Sequence, residues 1–200
     1  MKKLGILLSG RGSNFEAIAE NVASGKISAE IAVVISNKPN ARGLASARER
    51  GLAAEFISSK GLEREEYDRK AVALLKKHEV DLVCLAGFMR LLSAYFVSEF
   101  PNRVLNIHPS LLPSFPGLEA QQQALEHGVK FSGCTVHFVD EHLDAGPILL
   151  QAAVAVRDED TDETLSARIL KEEHRIYSEA INLVLSGKVR VEGRRVIGEP

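Results

Sequence analysis

The segment Asn106-Ile107-His108-Pro109-Ser110 sets an amide and an imidazole two residues apart, just ahead of a proline. In an extended strand such residues point to one face, and Pro109 then ends the strand and fixes the backbone. An amide N–H and an imidazolium side by side suit an oxygen that gathers negative charge, as in a tetrahedral intermediate. Asp144 lies in the acidic loop Asp140–Pro147. Set beside His108, its carboxylate would favour the imidazolium and fix its tautomer. The plainer alternative makes His108 a capped strand end. Ser110 and Cys134 are the nearby nucleophile types. Ser110 lies past a proline with no obvious base and Cys134 sits inside a strand, so both read as structural.

A second group is Gly10-Arg11-Gly12-Ser13-Asn14, between a first strand and a first helix. Glycines let the backbone approach an anion, and a helix start offers N–H groups and a favourable dipole. The turn is not a dinucleotide fingerprint, because Phe15 stands where a third glycine would and Ser36-Asn37-Lys38 brings no acid after the second strand. It also lacks the Gly-Lys-Ser/Thr of a Walker loop. A single phosphate monoester fits it best; the alternative is a tight βα turn capped by Ser13 or Asn14. Glu173 falls on the apolar stripe Leu165, Ile169, Ile176, Ala180, Leu183 of a long helix. A buried carboxylate needs a partner, either an internal arginine or a ligand hydroxyl or amine. His137 is a buried hydrogen-bonded group or a wall of the site, whereas His78, His127 and His142 read as solvated.

Strands and helices alternate to carry these groups. Strands are read at Leu4–Ser9, Ala32–Ser36, Ala54–Ser58, Asp81–Gly87 and Val104–His108, and helices at Phe15–Ala23, Ala41–Arg50, Glu63–His78, Ala94–Phe100 and Gln121–His127. The almost wholly apolar Asp81–Gly87 has the character of a central parallel strand. The pattern predicts an α/β fold: an open, mainly parallel twisted sheet with helices on both faces, Rossmann-like in kind. It then changes to two strands, Gly133–Val139 and Ile148–Val156, the long helix Thr161–Ser186 and a small hairpin around Gly193. No linker or repeat interrupts the chain, so one domain is expected over residues 1–200.

The chain has 200 residues, 45% hydrophobic and 26% charged, enough to bury a core without metal or disulfide support. Lys+Arg number 25 against Asp+Glu 27, a net charge of −2 that argues against life on a phosphate backbone. Cys84 and Cys134 form no metal-binding spacing. The apolar start is too short for a leader and no stretch approaches the ~20 apolar residues of a membrane span. A cytoplasmic setting is expected, with no nucleic-acid or membrane partner.

Together, Leu85-Ala86-Gly87-Phe88-Met89-Arg90, Asn106-Ile107-His108-Pro109-Ser110-Leu111-Leu112-Pro113, Gly133–Val139 and Asp144-Ala145-Gly146-Pro147-Ile148 resemble the folate-dependent formyltransferases. The resemblance runs from the first strand through the long helix. It implies transfer of a formyl group from 10-formyltetrahydrofolate, a co-substrate, to an amine without a metal, and Gly10–Asn14 with Glu173-His174 points to glycinamide ribonucleotide as the acceptor. By matching position, Asn106, His108 and Asp144 would be catalytic. Gly12, Ser13, Asn14 and Pro109 would hold the substrate, with Glu173 at its ribose side. Arg64, Met89, Arg90, Leu91, Leu92, Val97, Asn106, Glu141, His142 and Asp144 would line the folate pocket. The resemblance also implies a phosphate-binding half over about 1–100, a catalytic half over about 101–200, and a monomer or homodimer. Glu119-Ala120-Gln121 departs from the family pattern. Methionyl-tRNA formyltransferase would need a further basic domain, and formyltetrahydrofolate deformylase an additional N-terminal domain. A non-catalytic phosphosugar-binding module would leave Asn106, His108 and Asp144 without a joint purpose.

Overall fold

The computed structural model describes residues 1–198. It divides into two compact units, Met1–Asn106 and Ile107–Pro200. In the first, β1 (Lys2–Leu8), α1 (Ser13–Ala23), β2 (Ala29–Ser36), α2 (Arg42–Glu49), β3 (Ala54–Phe56), α3 (Arg64–Lys77), β4 (Leu82–Leu85) and α4 (Ala94–Glu99) lead into β5 (Val104–His108). The strands run in the order β3-β2-β1-β4-β5, all parallel. The chain moves outward from β1 in one direction through β2 and β3, then returns to β4 and moves out the other way. The gap beyond the carboxyl ends of β1 and β4 is therefore a topological switch point, where open α/β sheets bind ligands. Leu4, Ile6, Leu7 and Leu8 of β1 and Val83 and Cys84 of β4 are fully buried, in keeping with central strands covered on both faces.

Several boundaries differ from the sequence reading for identifiable reasons. Helix α1 starts at Ser13 rather than Phe15, because Gly12 is its N-cap in the left-handed region (φ 79°) with no side-chain cap; neither Ser13 nor Asn14 fills that role. β4 is shorter than Asp81–Gly87. The Asp81 carboxylate instead accepts from the Lys3 N–H at 2.8 Å, and Gly87 turns at φ 73°. Helix α3 is bounded by a Glu63/Glu66 capping box and α4 by Ser93, whose hydroxyl accepts from the Phe96 N–H.

The second unit contains α5 (Ala120–Glu126), β6 (Phe131–Phe138), β7 (Ile148–Ala155), α6 (Asp162–Leu185), β8 (Val189–Glu192) and β9 (Arg195–Gly198). Its strands run β6-β7-β9-β8; β6/β7 and β8/β9 are antiparallel and β7/β9 parallel. Helix α6 packs on β6 and β7 through Leu165, Ile169, Ile176, Tyr177, Ala180 and Ile181. Ile181 takes the inward place that the 3.6-residue stripe gave to Leu183. Gly133 keeps β6 and β7 close: a Cβ there would lie 1.9 Å from the Ala152 carbonyl oxygen.

Candidate active site

Strand β5 delivers Asn106 half-buried and His108 buried, on the same face by alternation. In the second unit the Asp144 carboxylate comes to His108, with Oδ2 3.4 Å from Nδ1. On its other side ring Nε2 lies 2.8 Å from the Phe115 carbonyl oxygen. A carbonyl only accepts, so Nε2 carries a proton there. With Nδ1 toward a carboxylate, a ring protonated on both nitrogens meets an acceptor at each end. Asp144 Oδ2 also accepts from the Gly117 N–H at 2.8 Å. Asp144 stands in the left-handed region at φ 47°, which aspartate tolerates better than most residues. Two residues on, a Cβ at Gly146 would sit 1.9 Å from the Phe138 carbonyl oxygen, so the loop closes against β6 only with glycine there.

His137 is the residue whose part in this group the sequence did not reveal. Its Nε2 lies 3.9 Å from Asp144 Oδ1, so the carboxylate stands between two imidazoles. Its Nδ1 meets the Phe138 carbonyl oxygen at 2.9 Å. Burial holds the His137 pKa below the ordinary histidine value, against the opposing pull of that carbonyl and of Asp144. Strand alternation could orient His137 but could not name what it met.

The segment after Pro109 is braced from β6 and β7. Thr135 Oγ1 donates to the Ser110 carbonyl and accepts from the Leu112 N–H, while Gln151 Nε2 donates to the Leu112 carbonyl. The Ser110 hydroxyl donates to the Ser114 and Phe115 carbonyls, so its proton is engaged by backbone. The Cys134 thiol is buried and pushed up to about 12, by burial first and then by Glu173. Neither side chain is an available nucleophile. Glu173 is buried on the inward face of α6, as its stripe position required. Glu141 and His142 are exposed, with the His142 N–H donating to Asp140.

In the first unit, the turn at Gly10–Asn14 is held by backbone. Gly43 N–H donates to the Gly10 carbonyl at 3.2 Å, and Glu16 N–H to the Gly12 carbonyl at 2.8 Å. First-turn amides of a helix have no intrahelical acceptor, and Ser13 and Asn14 open α1. The segment Met89–Leu92 joins β4 to α4. Met89 is 68% and Leu91 44% exposed, Leu92 is buried and Val97 half-buried. The Arg90 guanidinium lies 4.8 Å over the Tyr67 ring, which stacks on Phe88 at 6.2 Å. The Asp68 carboxylate accepts from the Ser93 N–H at 2.6 Å, and burial raises its pKa, against Ser93 and Arg90. Tyr67 and Asp68 of α3 thus hold the Met89–Ser93 segment through Arg90 and Ser93. Arg64 opens α3 on the exposed side.

The formyl transferase family model matches residues 2–181. The chain is 43% identical over 187 residues to phosphoribosylglycinamide formyltransferase of Escherichia coli, covering 93% of this chain and 88% of that one. It is 47% identical over 190 residues to the trifunctional purine biosynthetic protein adenosine-3 of Homo sapiens, covering 94% of this chain and 19% of that protein. The chain thus spans less than a fifth of such trifunctional relatives. The crystal structure of glycinamide ribonucleotide transformylase 1 from Symbiobacterium toebii superposes with a TM-score of 0.97 at 52% identity, covering 100% of this chain and 95% of that one. A formyltetrahydrofolate deformylase from Pseudomonas syringae gives 0.92 at 28% identity, covering 100% and 66%. A match along residues 2–181, with identities of 43–52% across nearly whole relatives and solved chains, places this chain in the formyl transferase family.

Proposed function

We propose that the protein transfers a formyl group from 10-formyltetrahydrofolate to the amine of glycinamide ribonucleotide, a step of purine synthesis, in the cytoplasm. The observation that carries this reading is the close approach of the Asp144 carboxylate to His108 at the end of the strand that bears Asn106. Asn106 donates to the formyl oxygen as the amine adds and charge gathers there. His108, with an acceptor at each ring nitrogen, takes the doubly protonated form and adds positive charge beside it. Asp144 holds the ring in that orientation. The nitrogen that attacked loses a proton and the folate nitrogen that leaves gains one, by way of His108 or water. Ser13 and Asn14, with the first turn of α1, hold the substrate phosphate, and Glu173 the ribose side. The exposed apolar Met89 and Leu91, beside the cationic Arg90, suit a molecule with a flat ring and an anionic tail, which is the form of a folate; 10-formyltetrahydrofolate supplies the formyl group when bound.

The test is formyl transfer with purified glycinamide ribonucleotide and 10-formyltetrahydrofolate, followed as the release of tetrahydrofolate. Asn106→Ala should lower kcat by about 10²–10³ with substrate KM little changed, the usual cost of losing one such donor. A rate unaffected by that substitution overturns the mechanism. The second reading is deformylase, favoured by the 0.92 superposition on such an enzyme. It predicts formate release without any ribonucleotide present, at a rate matching transfer.

A further inference from the structure

Ser9 is the last residue before the Gly10–Asn14 turn, and its hydroxyl is used twice. It donates to Asn37 Oδ1 at 2.7 Å and accepts from the Met89 N–H at 2.8 Å. Its own N–H donates to the Gly87 carbonyl at 3.0 Å. Asn37 follows β2 and is buried. By taking the single hydroxyl proton, it turns the lone pair of Ser9 toward Met89. The two segments read as ligand-holding in this unit, Gly12–Asn14 and Met89–Leu92, are therefore joined through one side chain at the switch point between β1 and β4.

On the transfer reading above, we propose that Ser9, oriented by Asn37, couples the two ligand segments, so that a phosphate monoester seated on the turn tightens folate binding at Met89–Leu92, and the reverse. The physical basis is one shared hydrogen-bond bridge. Met89 lies outside the sheet ladder with its side chain largely exposed, and its amide is seated on the Ser9 hydroxyl. A ligand that shifts the turn or this segment shifts that hydroxyl between them, and the second ligand meets the position the first has set. The effect is reciprocal by linkage, and such couplings are typically about 5–150-fold. Ser9 acts here as a positioning residue and touches neither ligand.

The experiment is calorimetric titration of glycinamide ribonucleotide into the protein, alone and with saturating tetrahydrofolate, a pair that cannot react. The Kd should fall by roughly fivefold or more when the folate is present. In Ser9→Ala that ratio should approach one, and Ser9→Thr, which keeps the hydroxyl, should restore it. Hydrogen exchange gives a reading that needs no variant: the Met89 amide should slow when the ribonucleotide alone is added. A ratio near one in the parent protein, a ratio kept in a folded Ser9→Ala, or a Met89 amide indifferent to the ribonucleotide overturns the coupling. If neither compound binds the parent protein, the transfer reading itself falls and the coupling with it.

Discussion

At the scale of single residues, the cluster around Asp144 sets two histidines against one carboxylate in different ways. His108 faces acceptors at both ring nitrogens, whereas His137 is buried and depressed. The depression has a consequence for stability. An unfolded chain protonates this histidine near pH 6.5, while the folded protein resists until lower pH. Between those values the unfolded state binds more protons, so the contribution of His137 is full above about pH 6.5 and is lost as pH falls. Urea midpoints measured from pH 5 to 8 should decline toward acid, and His137→Gln should flatten that decline; an unchanged slope would show that another group titrates. The approach of Asp144 to His108 was legible because a strand end and a loop name their positions. The bracketing by His137, and the support of Arg90 by Tyr67, depend on which side chains meet across elements. Strand and helix periodicity carry no such information.

At the scale of elements, α6 illustrates both what a sequence pattern tells and where it stops. Its apolar stripe and the buried Glu173 follow from the helical period. Its start is fixed by something local that the period does not contain. Thr161 accepts from the Thr164 N–H, and Arg168 grips Asp160 with both Nη1 and Nη2 while also donating to the Ala155 carbonyl. That fork holds the Asp160 carboxyl well below the usual carboxylate range. Its folded pKa is depressed, so its stabilisation is present above the unfolded value near 3.8 and is lost as pH falls through the folded one. Arg168→Met should lower Tm modestly at neutral pH, and the gap between variant and parent should shrink in strong acid. A gap of constant size across pH would assign the effect to packing of the arginine stem instead.

At the scale of the whole chain, alternation of strand and helix made the parallel part of the fold readable, because each buried strand is a continuous apolar run. The arrangement β6-β7-β9-β8 was less so, since a short polar hairpin such as β8/β9 has little hydrophobic pattern to register it. Among the described residues no three His, Cys, Asp or Glu side chains group so as to hold a metal ion. The proposed transfer relies on Asn106 and His108 for charge stabilisation, and dialysis against EDTA should leave kcat unchanged. A loss restored by a divalent cation would require a different mechanism.

The contact of Gly12 with Gly43 bears on redesign. A Cβ at Gly12 would come within 2.7 Å of the Gly43 Cα, and one at Gly43 within 2.6 Å of Leu8 Cδ2 and 3.1 Å of the Gly12 Cα. The turn and the start of α2 thus meet main chain to main chain, with Gly12 also at positive φ. A branched residue at Gly12 would disturb the unit before it ever met a ligand, so it cannot serve as a clean probe of phosphate recognition. The same contact closes this wall of the turn to directed evolution. On the proposed reading of the turn, library diversity aimed at altered acceptor preference belongs at Ser13, whose half-buried side chain can change without parting the two backbones.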